Sequence, residues 1–192
     1  MTNWRAVWTV FFAGLVAAAY ITKVAPALPG LREELGLSLV ESGLIATMFN
    51  VMGMFVGMLA GVLCDRFGQK RLALGGLAIL ALGGALGAAA STFALLLLTR
   101  FLEGVGFLLF AVSAPSLLSA ASSSERDRAR ALGLWSAYVP TGGTLALLAA
   151  PALIGAWQWR GLWVALALGA ALMTLVFARN VPAARYGEVN SL

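Results

Sequence analysis

Arg100 and Glu103 form the one pair of opposite charges set together deep inside a long apolar run, which extends from Phe93 to Ala120. Spaced three apart on a helix they share a face, so they can bridge each other or lie over the same cavity. Charge in hydrocarbon is costly. Such a pair therefore either borders a watery cavity, where Arg100 can hold an anion while Glu103 exchanges a proton, or locks its helix to a neighbour. Further polar groups in apolar surroundings join them as candidates to meet a small molecule: Lys23 with the nearby Tyr20, Asn50, and Tyr138 with Thr141 beside Pro140. Lys23 lies near the edge of its run and is expected to snorkel outward. Pro140 has no N–H to give, so backbone carbonyls near it become available, unless Tyr138, Thr141, Gly142 and Gly143 only relieve a kink.

The remaining chemistry is narrow. The chain has no histidine and a single cysteine, Cys64. That removes Ser-His and Cys-His nucleophile pairs, an internal disulfide and any plausible zinc set. Of the acidic residues only Glu103 is deep enough to act as an acid or base within a membrane, so no enzyme activity, metal or cofactor is expected.

These residues have to be positioned by apolar helices. Of 192 residues 61% are hydrophobic and 11% charged, and the mean hydropathy is +0.91. Soluble domains carry roughly 25% charged residues. A membrane span takes about 20 apolar residues, and six runs fit, over approximately 6–28, 40–63, 72–90, 93–120, 131–153 and 161–178. The fold class expected is all-α, one six-helix transmembrane domain over residues 1–192. The first run is short enough to resemble a cleaved leader and is read as a retained helix, ended by Pro26 and Pro29. In the second, Gly53, Gly57 and Gly61 line one face for close helix approach. Residues 121–130 read as a polar loop, Pro140 and Pro151 as breakers, and Trp157 and Trp159 as anchors at headgroup depth.

Charge sets the orientation. Nine cations (Arg5, Arg66, Lys70, Arg71, Arg126, Arg128, Arg130, Arg179 and Arg185) fall on one side of this topology, and Lys23, Arg32 and Arg160 on the other. Cationic loops stay inside, which puts both termini in the cytoplasm, and a bacterial inner membrane is the expected location. The net charge of +5 is spread over loops rather than gathered in a stripe, so the partner expected is a lipid bilayer and not nucleic acid.

The most charged turn is Gly61-Val-Leu-Cys-Asp65-Arg66-Phe-Gly68-Gln-Lys70-Arg71. Its pattern, G-x-L-x-D-R-x-G-x-K-R, resembles the signature loop between the second and third helices of major facilitator superfamily transporters. Arg100, Gly104 and Gly106 resemble that family's R-x-x-x-G-x-G motif. Pro140, Gly142 and Gly143 are similar to its antiporter motif, with Val139 where the motif has glycine. The stretch Leu134 to Gly143 looks loosely like the cyanate/nitroimidazole branch. The resemblance covers the amino-terminal six-helix half of the fold. It implies a secondary active transporter of a small polar or anionic organic solute, in which the signature loop acts as a conformational gate and the arginine of the second motif serves proton coupling or substrate binding. Family transporters hold their cargo between two such halves. Three readings stay open: a half-transporter that homodimerises so that two copies of Arg100 and Glu103 surround one cavity, an amino-terminal fragment lacking its carboxy-terminal half, and a channel.

Overall fold

A computed structural model describes residues 1–49, 51 and 66–182. Among them every regular element is helical: α1 Trp4–Thr22, α2 Val24–Leu35, α3 Leu39–Phe49, α4 Gln69–Ala88, α5 Phe93–Ala121, α6 Glu125–Ser136 and α7 Tyr138–Asn180. Four stretches are long and apolar enough to cross a membrane among these residues: Trp4–Thr22, Gln69–Ala88, Phe93–Ala121 and Glu125–Asn180.

The last of these is divided. Trp157 (φ −141°, ψ 29°) and Gln158 (φ 54°, ψ −162°) leave helical geometry. A Cβ on Gly161 would lie 2.6 Å from the carbonyl oxygen of Leu153. A continuous helix keeps residues eight apart about 12 Å distant, so the chain folds back here, giving limbs 138–156 and 159–180. The left-handed φ falls on a residue with a side chain, an uncommon and strained conformation.

The prolines act differently from the expectation. Pro26 ends α1 from one turn downstream, but Pro29 does not end a helix. α2 runs through Pro29 to Leu35 and stops at Gly36, whose φ of 63° lets its N–H turn back to the carbonyl of Arg32. The interruption lies earlier, at Lys23, between α1 and α2. Ala137 interrupts α6 and α7 in the same way, ahead of Pro140. The physical cause is shared. Pro26 has no N–H for the carbonyl of Thr22, nor Pro140 for that of Ser136, so each helix breaks one turn before its proline. Pro151, expected to break a helix, sits inside α7. The loop expected over 121–130 is mostly helix as well. The Ser124 hydroxyl accepts the Asp127 N–H at 3.2 Å and starts α6, with Glu125 and Asp127 in a first turn that favours anions.

Small residues set the helix spacing, as expected where lipid gives helices no hydrophobic reason to associate. A Cβ on Gly106 would lie 2.7 Å from the Gly76 carbonyl oxygen, and one on Gly76 would lie 2.5 Å from that of Gly106. α4 and α5 therefore touch backbone to backbone. A Cβ on Gly142 would likewise overlap the Leu15 carbonyl oxygen, so α7 lies close on α1.

Both ends of the bundle are tied. At one end the Thr2 hydroxyl donates to Asp127 Oδ2 at 2.7 Å, the Asn3 N–H to the Ala121 carbonyl at 2.8 Å, and Lys70 Nζ to the Ala178 carbonyl at 3.0 Å. At the other end Arg160 pairs with Glu34 and donates to the Ala90 carbonyl at 3.0 Å, while Trp159 Nε1 donates to Glu34 at 2.7 Å. Trp157 is 68% exposed and Trp159 1%. Only the first is thus free to meet headgroups. The second is drawn into the bundle because its indole N–H finds Glu34.

Two outcomes follow from this packing. Gly106→Ala should lose about 1–3 kcal/mol of stability by overpacking, whereas Gly75→Ala, with nothing within 4 Å of the added methyl, should be neutral; melting curves in detergent measure both. The Arg160 hydrogen bond, aided by Trp159, holds the Glu34 carboxyl below its ordinary value of 4.5. Its stabilisation is present above that value and is lost as pH falls through the lowered one. For a part-exposed pair it amounts to about 0.2–1 kcal/mol. Glu34→Gln should therefore melt slightly earlier than the parent at neutral pH, and the gap should close in acid.

Candidate functional site

α5 presents Arg100 and Glu103 on one face, and the two side chains pair. The second oxygen of Glu103 accepts from Lys23 Nζ at 2.6 Å. Arg100 Nη1 also donates to the Tyr20 carbonyl at 3.1 Å. All three charged side chains have 0% exposure. Lys23 arrives from the interruption between α1 and α2, and its ammonium lies 4.2 Å from the ring centroids of both Tyr20 and Trp163. The Arg100 guanidinium lies 4.7 Å from the Phe49 ring. Rings in such positions attract the cations through their negative faces.

α4 closes the site with glycines. A Cβ on Gly83 would come within 3.0 Å of Glu103 Cγ, one on Gly84 within 2.7 Å of the Tyr20 hydroxyl, and one on Gly87 within 2.7 Å of Trp163 Nε1. The missing side chains are what admit the carboxylate, the phenol and the indole. Four buried polar atoms nevertheless lack a hydrogen-bond partner among the described residues: the Tyr20 hydroxyl, Arg100 Nε, Arg100 Nη2 and Trp163 Nε1. With every group ionised the cluster holds two cations and one anion. A buried centre of this kind, one positive charge in excess and with donors unspent, is suited to taking up an anion or giving up a proton.

Two expectations are corrected. Lys23 does not snorkel outward. It points inward, because a carboxylate and two aromatic faces offer its ammonium more than the nearby edge does. Arg100 and Glu103 do not stand on an open face awaiting a second copy either. They are sealed within one chain, because the α4 glycines let the helices close over them. Tyr20 belongs to the cluster through its carbonyl and ring. Tyr138 makes its close contacts elsewhere, half-buried and stacked on Trp135 at 3.8 Å with 14° between the planes. Thr141 and Pro140 are exposed. Gly142 and Gly143 pack on α1 at Leu15 and Thr22, and Gly104 is buried on α5.

Of the signature turn, Gly68 begins α4 with a φ of 79°, Lys70 reaches the end of α7, Arg66 lies 5.6 Å from the Phe67 ring, and Arg71 is exposed. Asn50, Gly53, Gly57, Gly61, Cys64 and Asp65 lie outside the described residues. No group of three or more His, Cys, Asp or Glu that could hold a metal occurs among the described residues. Sequence reasoning missed Phe49, Trp163 and the fitted glycines. The pair Gly83 and Gly87, spaced i, i+4 on α4, was the available signal.

Removing one member of the cluster tests the charge count. Glu103→Gln leaves two buried cations without their counterion and should cost about 3–5 kcal/mol. Lys23→Met leaves a balanced Arg100–Glu103 pair and should cost distinctly less; thermal melts of the two purified variants compare them.

The model of the Major Facilitator Superfamily matches residues 10–191. The methylenomycin A resistance protein of Bacillus subtilis is 32% identical over 155 residues, covering 78% of this chain and 32% of that protein. The multidrug resistance protein Stp of Mycobacterium tuberculosis is 31% identical over 153 residues, covering 78% of this chain and 28% of that protein. The chain thus spans about a third of the length of these relatives. A crystal structure of the peptide transporter POT in complex with alafosfalin superposes with a TM-score of 0.82 at 21% identity, covering 94% of this chain and 40% of that one, which shows the fold alone. This chain is an integral membrane protein with half of the superfamily's helical fold, and it belongs to the Major Facilitator Superfamily.

Proposed function

We propose that the chain is one half of a proton-coupled secondary transporter for a small polar or anionic organic solute, and that it acts by pairing with a second copy of itself. The observation that carries this reading is the sealed Lys23–Glu103–Arg100 cluster. Charge this deep is too costly to keep without a use, and its surplus positive charge suits an anion or an exchangeable proton. The resistance proteins among its relatives support a small organic cargo. Nine cations against three support cytoplasmic termini and a bacterial inner membrane. Thr141, exposed beside the interruption at Ala137, is the kind of group cargo would meet on the face turned to a second bundle, with Tyr138 behind it.

In this pairing two even-numbered bundles insert with the same orientation and enclose the pathway between them. The burial of Arg100 and Glu103 means that each copy keeps its own cluster rather than sharing one across the interface. A second reading has its own support. The match to 40% of the peptide transporter favours a longer protein whose other bundle follows in the same chain.

Reconstitution separates the readings. If the first holds, the 20.0 kDa chain elutes from detergent with about twice its mass, and liposomes containing it alone take up solutes from a panel of small organic anions. Arg100→Ala should abolish that flux. A strict monomer that moves none of them overturns the homodimer and leaves the second reading. Unitary currents in voltage-clamped bilayers would instead make the protein a channel.

A further inference from the structure

Resting on the transport reading, we infer that Lys23, rather than Glu103, is the group that exchanges the coupling proton. The argument is a charge count over groups in contact. With all ionised, Lys23 and Arg100 carry two positive charges against the one negative charge of Glu103, and all three are fully buried. Protonating Glu103 removes the only anion and leaves two cations facing each other. Arg100 does not give up its proton in proteins. Ionising the Tyr20 phenol would balance the count but place two anions and two cations in one dry site. Loss of a proton from Lys23 brings the net charge to zero with a single ion pair remaining, the smallest number of buried charges at which the cluster is neutral.

The geometry fits the exchange. The Nζ–H bond breaks, its electron pair stays on nitrogen, and the proton passes to a water that reaches the site when the bundle opens. The amine that remains keeps N–H bonds with which to hold Glu103 Oε1, now 2.6 Å away. Two opposed influences act on the ammonium. Glu103 and the faces of Tyr20 and Trp163 hold the charge, while burial and Arg100 oppose it. The titratable and charged groups facing Lys23 among the described residues are Tyr20 on α1 and Arg100 and Glu103 on α5. α4 presents glycines there and α7 presents Trp163, and none of these titrates. When Lys23 is protonated the cluster is again one charge positive and draws an anion, so a proton and an anionic cargo would bind together.

The chain contains two lysines, Lys23 and Lys70, which makes the test direct. The protein is prepared with carbon-13 at lysine Cε and its spectrum followed from about pH 6 to about pH 9, below the ordinary lysine value of about 10.4. A Lys70→Arg preparation run beside it identifies the Lys23 signal. The expected result is that Lys23 passes from ammonium to amine across this window. A Lys23 signal that remains ammonium throughout, or that follows Lys70, overturns the inference. This measurement needs no cargo. A fixed Lys23 with proton-coupled flux in liposomes sinks the assignment and spares the transporter, whereas an exchanging Lys23 with no flux from this chain alone keeps the Lys23 exchange and sinks the homodimer.

Discussion

The structure depends on one carboxylate holding two cations away from water. Glu103 takes Lys23 on one oxygen and Arg100 on the other, and through them joins α5 to both sides of the interruption that ends α1. In an apolar interior the desolvation of three charges is repaid only when geometry and hydrogen bonds are nearly complete. Here they are nearly but not fully complete among the described residues, with four polar atoms unpartnered there. A centre intended only to bind helices together would be simpler if made of leucines. Its incompleteness is the better sign of use.

The backbone makes this centre reachable. Proline and glycine act in complementary ways. Pro26 and Pro140 each break a helix one turn upstream, and the first break presents Lys23 to the interior. Gly83, Gly84 and Gly87 remove the methyl groups that would otherwise stand where Glu103, Tyr20 and Trp163 must fit. The sealed cluster thus follows from residues that themselves carry no charge.

Much of this was legible in the sequence. The apolar runs and the pairing of Arg100 with Glu103 follow from hydropathy, charge and helical spacing. The inward turn of Lys23 did not, because snorkelling is decided by what lies on the other side of the helix, and Glu103 is eighty residues away in the chain. Helices that continue through Pro29 and Pro151 were also hidden. Proline denies one hydrogen bond, and whether a helix survives that loss depends on the neighbours packed around it. Trp159 looked like its neighbour Trp157 until Glu34 gave its N–H a partner. In each case a local pattern met a partner from far along the chain.

The fit of α4 against its neighbours has a mechanical consequence. Carbonyl oxygens and ring edges press into the places of absent methyl groups at Gly76, Gly84 and Gly87, and Gly142 is gripped in the same way by α1. A helix meshed like this can neither slide nor roll without colliding, and the ties at both ends restrain it further. The described helices therefore behave as a stiff lever, and whatever pivoting accompanies their work has to be taken up at their outer boundary, where side chains rather than backbones meet.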